Sequence, residues 1–377
     1  MPALVESIPK SQHGTWIEIR LDRLHANLRA LKEHVSPSTQ VMAVVKANAY
    51  GHGLLEIARS LSGEVSYLGV ASLREAFFLK EHRIETPVFI FGRLLPQEIP
   101  AAILDGITLS VSSVDEASDI SDVSSSLMRK TPVHIKVDTG MGRLGIALKN
   151  ALPAIEKMTA FQGIHLEGIY THFPTAEQDD GFRERQVADF TDLIQKLGHK
   201  GITFQFRHTS NSAGILKADN SLFNLIRPGL MLYGIYPDVS LMDQVLVAPL
   251  LSLKSRIILV KRLAAGESVG YGRDFAARKP TTIAVIPVGY SHGYPFSASN
   301  KAEILYQGKR FSIAGRVSMD YLTVDLGDAP AHVGDEVTLI GEDRDEIIRA
   351  EDVARWAGTI PYEIVTRLLA SLPRFYR

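Results

Sequence analysis

The chain has 377 residues, 45% of them apolar and 22% charged, with a formal net charge of -1. That length suggests two domains or one large one, and the composition is ordinary for a globular protein. The balanced charge excludes the electrostatic footprint of a nucleic-acid or anionic-membrane binder, and the absence of cysteine excludes disulfides, thiol nucleophiles and thiolate metal sites. Met1–Lys10 lacks the apolar stretch of a secretory leader. The longest apolar run, near Val245–Leu253, contains Pro249 and stops at Lys254, short of a membrane span, so a cytoplasmic protein is expected.

A strand is expected at Trp16–Leu21, open to either domain. The next, Val41–Val45, is closed by Lys46 and followed at once by Ala47-Asn48-Ala49-Tyr50-Gly51-His52-Gly53. Apolar β-branched runs are ended by Asn and Gly, which puts Lys46 at a strand's C-terminal tip. Two readings of Lys46 stand here. It is a lysine snorkelling to solvent, or a poorly solvated amine whose lowered pKa supplies the free base that a Schiff base needs.

Further strands are expected at Tyr67–Ala71, Pro87–Phe91, Ile107–Val111, Val133–Val137, Ile164–Thr171, Thr203–Arg207 and Leu222–Ile226. Amphipathic stretches lie between them: Leu54, Ala58 and Leu61 share a helical face, as do Val187, Phe190, Ile194 and Leu197. Eight βα units over roughly 200 residues fit a (β/α)₈ barrel better than an open doubly wound sheet. Active residues then belong just past the strand C-termini. Lys46 follows the first strand, Arg143 the fifth, His172 ends the sixth, Ser212 follows the seventh, and Arg227-Pro228-Gly229-Leu230 follows the eighth.

Gly140-Met141-Gly142-Arg143-Leu144-Gly145 matches G-x-G-x-x-G, but in the fifth unit rather than the first, and the nearest acid, Glu167, sits mid-strand. A dinucleotide site is therefore disfavoured. Arg143 reads either as a planar cation for a carboxylate or as a surface arginine on a glycine loop. Gly229 allows close backbone approach, and Asn211-Ser212-Ala213-Gly214 opens a short helix. Two such sites at neighbouring strand ends suit a phosphate, with ordinary turn and capping chemistry as the alternative.

The alternation stops at Gly234–Asp243, which reads as a linker. Beyond it Leu251, Leu253, Ile257 and Leu259 alternate with polar residues, Gln307-Gly308-Lys309 turns a hairpin, Glu336–Leu339 is a short strand and Ile347–Trp356 is helical. The expected division is a barrel over residues 12–241 and a mainly β domain over 242–377. Within the second, Val269-Gly270-Tyr271-Gly272-Arg273 sets Tyr271 on a glycine loop, either as an exposed turn residue or as a base needing about 4 kcal/mol of help to titrate near neutral pH. The twelve histidines show no metal-binding spacing, so no metal is expected.

The strings AVVKANAYGHG, KVDTGMGRLG, THF, SNSAG, RPGLMLYG, VGYGRDF, GYSHGYP, GRVSMD and PYEIVTR, in this order from residue 43 to 367, resemble alanine racemase, a fold-type-III pyridoxal-phosphate enzyme. The resemblance implies that Lys46 carries pyridoxal 5'-phosphate as a Schiff base and acts as acid or base on one face of the substrate Cα. It implies that Tyr271 acts on the opposite face from the partner subunit of a head-to-tail homodimer. Arg227 would face the pyridine nitrogen with His172 bonded to it. Tyr50, Ser212, Gly229, Leu230 and Tyr362 would hold the phosphate, and Arg143 and the Met319 amide the substrate carboxylate. Lys136 matches a lysine carbamylated in many relatives, Tyr290 and Tyr362 narrow the entrance, and Asp320 is a further supporting residue. The implied reaction is interconversion of L- and D-alanine, supplying D-alanine for peptidoglycan.

Such a site makes chemical sense. The cofactor delocalises the carbanion left by the α-proton, and racemisation needs two proton-transfer groups on opposite faces. An arginine opposite the ring nitrogen keeps its own proton and leaves that nitrogen unprotonated. Ser318 stands where many relatives have cysteine, Pro174 follows THF, and Thr209-Ser210 precede Asn211 where alanine is usual, which opens the question of side-chain specificity. The alternatives are a racemase for serine or larger amino acids, and a non-catalytic pyridoxal-phosphate-binding barrel. The VGYG and GRVSMD strings count against the second. A decarboxylase would place an acid, not Arg227, at the ring nitrogen.

Overall fold

A computed structural model describes residues 10–178 and 181–377, so most of the segment read above for a leader lies outside it. Eight parallel strands follow one another around a barrel: Gln40–Val44, Tyr67–Val70, Val88–Ile90, Thr108–Val111, Thr131–Asp138, Ile164–Tyr170, Phe206–His208 and Leu225–Ile226. The eighth pairs back onto the first, Leu225 with Gln40 and Ile226 with Val41. Among the described residues no regular ladder joins the seventh and eighth. Asn224 N–H donates to the Arg207 carbonyl at 3.1 Å and Arg227 N–H to the Ser210 carbonyl at 3.0 Å, which nearly closes the ring.

Helices cover the outside, among them Leu54–Leu61 and Phe182–His199, whose apolar faces bury Ile57, Ala58, Leu61, Phe190, Leu193 and Leu197. Inside the barrel, Met42, Tyr67, Phe89, Tyr170, Phe206 and Leu225 pack together, one from each of six strands. Between the fifth and sixth strands the register slips: Val133 faces Leu166, but His134 faces Gly168. Glu167 is the extra residue of this bulge, and a bulge re-aims side chains.

The strand left open by the sequence, Thr15–Ile19, joins the second domain. It runs antiparallel to Leu251–Arg256 and parallel to Arg374–Tyr376. The same sheet continues through Glu336–Asp343 to the hairpin Glu303–Tyr306/Lys309–Ser312. The alternation expected through Leu259 is broken in two. Leu251, Leu253 and Ser255 point inward in one strand, while Leu259–Leu263 starts another in a three-stranded sheet with Thr281–Ile286 and Leu322–Gly327. The helix expected from Ile347 begins instead at Ala350, because Glu346–Ile348 pairs as a strand. No helix among the described residues is long and apolar enough to cross a membrane.

Candidate active site

Lys46 leaves the first barrel strand and enters a single turn of left-handed helix. Ala47, Asn48, Ala49 and Tyr50 have φ of 54°, 55°, 52° and 53°. Such a conformation costs about 1–2 kcal/mol per non-glycine residue, and several bonds hold the turn in place. Glu75 accepts from Ala47 N–H at 2.6 Å and from Ala71 N–H at 2.9 Å, and the Asn48 side chain accepts from Leu54 N–H at 2.9 Å. His52, fully buried, directs Nδ1 at the carbonyls of Ala49 (3.1 Å) and Tyr50 (2.9 Å). From the other domain, Arg374 Nε donates to the Gly51 carbonyl at 3.0 Å.

Half-buried Lys46 has its ammonium disfavoured first by burial and next by the Arg143 guanidinium, with Glu75 opposing. Lys136, on the inward face of the fifth strand and 4% exposed, is pulled down to about 8 by burial, Arg143 and Arg227. His172 is held well below its usual value by burial, then by Arg227, Lys136 and Arg143. Lys46, Lys136, Arg143 and Arg227 thus form one basic group at the strand C-termini around a neutral His172, with Glu75 and Asp138 the carboxylates opposing it. Asp138 also accepts from the N–H groups of Gly140 (2.9 Å) and Gly142 (3.0 Å), shaping the loop that presents Arg143.

Ser212 caps the neighbouring turn. Its Oγ accepts from the N–H groups of Gly229 (3.0 Å) and Met231 (3.3 Å), leaving its own hydrogen to donate outward. The Leu230 N–H has no acceptor among the described residues. A Cβ on Gly229 would come within 2.9 Å of the Tyr50 hydroxyl, so glycine there keeps a cradle open beside that group. The Tyr50 ring lies 6.0 Å from that of Tyr362, whose phenol is pushed up to about 12 by burial and by Glu177.

Arg227 is 3% exposed and pulled down to about 10 by burial, so it remains a cation at neutral pH. It donates through Nη2 to the carbonyls of Thr171 and Thr209, both at 2.8 Å, and through Nη1 to His208 Nδ1 at 2.8 Å. The contact to His172 is longer, 3.4 Å. The principal imidazole partner of Arg227 is therefore His208, which the sequence did not single out. Sequence reasoning also missed Glu75, although Ser72-x-x-Glu75 is a visible helix-cap pattern.

Tyr290, Met319 and Asp320 lie together on the β domain, and Tyr271 stands on another loop of the same domain. Tyr271 turns between two short paired strands and is 71% exposed. Tyr290 N–H donates to the Ser318 carbonyl at 3.1 Å, while the Ser291 hydroxyl donates to the Met319 carbonyl at 2.8 Å and to Asp320 at 3.0 Å. A Cβ on Gly289 would meet the Ser318 and Met319 carbonyls at 2.2 Å, so these loops are locked together. Among the described residues, no hydrogen bond or ring contact ties these four to Lys46, Arg143 or Arg227.

A barrel gathering a desolvated lysine, a buried arginine and unpaired donors at its strand ends, attached to a β domain with its own exposed tyrosine, defines the class as a two-domain barrel enzyme with a basic mouth. Comparison with known proteins gives the particular family. The alanine racemase N-terminal domain model matches residues 19–237 and the C-terminal domain model residues 250–376. Alanine racemase of Desulforamulus reducens is 38% identical over 366 residues, covering 96% of this chain and 98% of that one. The solved alanine racemase of Clostridium difficile 630 superposes with a TM-score of 0.92 at 33% identity, over 97% of this chain and 96% of that one. That of Bacillus anthracis, solved with bound L-Ala-P, gives 0.90 at 31% identity, over 98% and 96%. The chain belongs to the alanine racemase family.

Proposed function

We propose that the protein interconverts L- and D-alanine with pyridoxal 5'-phosphate, as a homodimer whose sites are shared between subunits. The observation that carries this reading is the desolvated Lys46 amine in a cationic mouth beside the Ser212–Gly229–Tyr50 cradle. The group fits these residues. A phosphate answers the outward Ser212 hydroxyl, the Leu230 amide and the Tyr50 phenol, a carbonyl carbon answers the Lys46 amine, whose neutral form burial favours, and the Arg143 and Arg227 guanidiniums suit an anionic guest.

When bound, the cofactor supplies an electron sink for the pair left by the α-C–H bond. Lys46 would hold it covalently in the resting protein, Arg227, which keeps its own proton, would serve its ring nitrogen, and His172 lies against Arg227. Arg143 and the Met319 N–H receive the substrate carboxylate. Lys46 Nζ, released when the substrate amine takes its place, and Tyr271 Oη would take and return the α-proton on opposite faces. Tyr290 and Tyr362 narrow the entrance, with Asp320 steadying the Met319 loop through Ser291. Lys136, with a partly free amine, is set to take up carbon dioxide as a carbamate. On the same reading the barrel domain runs 12–241 and the β domain 242–377, the first lending Thr15–Ile19 to the sheet of the second. The product supplies peptidoglycan synthesis in the cytoplasm.

The test is α-proton exchange into D₂O with purified protein and pyridoxal phosphate, following L- and D-alanine separately by NMR and chiral chromatography. Exchange with interconversion from both enantiomers is expected. Serine in a parallel arm decides whether Ser318 and the altered loops broaden specificity. Bound cofactor with no exchange on any amino acid overturns the reading in favour of a binding protein.

A further inference from the structure

We propose that Glu167, acting through His134 and His208, is a positioning residue for Arg227, and that the four side chains form a proton-ordered relay across the barrel interior. Its consequence for catalysis rests on the racemase reading, but the relay itself does not.

The chain is continuous. Arg227 Nη1 lies 2.8 Å from His208 Nδ1, His208 Nε2 lies 2.9 Å from His134 Nδ1, and His134 Nε2 lies 3.1 Å from Glu167 Oε2. The Tyr67 hydroxyl donates to the same oxygen at 2.6 Å. A guanidinium only donates, so His208 Nδ1 is an acceptor. A neutral imidazole with a bare Nδ1 carries its hydrogen on Nε2 and donates to His134 Nδ1. The same step then places the His134 hydrogen on Nε2, directed at Glu167.

The charge states agree. Burial, then Arg227 and His134, holds His208 well below the usual histidine range. Burial also lowers His134, with Glu167 pulling the other way. Glu167 is pushed up by burial, but the bonds from His134 and Tyr67 outweigh this and hold it below its ordinary value. A cation and a carboxylate are therefore joined by two neutral rings, every proton pointing toward the carboxylate.

The surroundings are built for these rings. Both imidazoles are fully buried. A Cβ on Gly168 would lie 2.6, 2.7 and 2.8 Å from three His134 ring atoms, so glycine makes that ring's room. Tyr170 stacks on His208 with centroids 4.7 Å apart and planes 4° from parallel. The Arg227 guanidinium lies 5.3 Å over the same tyrosine. The bulge at Glu167 turns its carboxylate to the relay. Because hydrogen bonds in a chain polarise one another, the carboxylate strengthens His208 as an acceptor and so governs how Arg227 donates at the mouth.

The test uses the full-length chain with ¹⁵N-labelled histidine, as purified and again after loading with pyridoxal phosphate. Two imidazoles with hydrogen on Nε2 and a bare Nδ1 are expected. Glu167→Gln keeps an acceptor but removes the charge, weakening both imidazole N–H bonds. Tyr67→Phe frees the carboxylate for His134 and shifts both resonances in the opposite sense. In the loaded enzyme Glu167→Gln lowers kcat about fivefold with KM for alanine unchanged. An Nδ1–H tautomer at His134 or His208 in the wild type, the two being assigned by the shifts the substitutions cause, or a His208 signal unmoved by both substitutions, overturns the relay, and neither depends on any racemase activity; the Nδ1–H expected of His52, which faces two carbonyls, does not bear on it. If Glu167→Gln fails to fold, the wild-type tautomers and Tyr67→Phe decide.

Discussion

Lys46 sits among charges of its own sign, and this decides when its amine is free. Burial lowers its pKa, Arg143 lowers it further, and Glu75 only partly compensates. The deprotonated amine is the nucleophile, so cofactor uptake by the apo-protein should accelerate with rising pH and level off below the ordinary lysine value of about 10.4. Stopped-flow absorbance of pyridoxal phosphate binding measures this. In Arg143→Gln the repulsion is removed, the ammonium is favoured, and the plateau should move to higher pH. A plateau unchanged by that substitution would assign the lowering to burial alone. Lys46→Arg should abolish the covalent absorbance at every pH, since a guanidinium does not deprotonate in the range.

At the scale of elements, the left-handed turn after Lys46 carries about 4–8 kcal/mol of backbone strain over its four non-glycine residues. Such strain persists only where the surroundings over-determine it. Gly51, at φ +82°, fits only because it has no side chain: a Cβ would lie 2.0 Å from the Val365 carbonyl. Gly51→Ala should therefore destabilise the fold by more than about 1 kcal/mol, seen as a lower Tm, and weaken cofactor retention in equilibrium dialysis. A variant with wild-type Tm and retention would show that the turn is not pinned by the helix Pro361–Arg367. The barrel strands were legible because β-branched runs bounded by Gly and Asn are a local signal, and the polar residues past their ends follow from the fold. The left-handed turn was not, because Ala47 and Ala49 ordinarily favour right-handed helix. The relay was hidden for another reason. His134 and His208 point into the barrel from strand positions that read as core, and Glu167 reaches them only through a register slip, which no alternation pattern reveals. The place of Thr15–Ile19 was equally invisible, since its partner strands lie more than two hundred residues away.

Over the whole molecule, the two candidate proton-transfer groups stand on different domains. Lys46 is half-buried at the barrel mouth, while Tyr271 is 71% exposed on a loop of the β domain with no bond to that mouth among the described residues. On the proposed reading one subunit would offer half of a two-base site at each of two places, which a head-to-tail pair of copies would complete. Lys46→Ala and Tyr271→Phe should each lower alanine racemisation by at least about 10²-fold when produced alone, the scale of a lost acid–base group. Produced together in one cell, with separate tags to isolate the hybrid, they make dimers with one site that has lost both groups and one that has kept both. A random mixture is half hybrids, so it should regain about a quarter of wild-type activity, and the purified hybrid about half. Were Tyr271 to serve the Lys46 of its own chain, every site in the hybrid would lack one group, and activity would stay at the level of the single variants. Recovery in the purified hybrid thus distinguishes a site shared between subunits from one completed within a chain by domain movement.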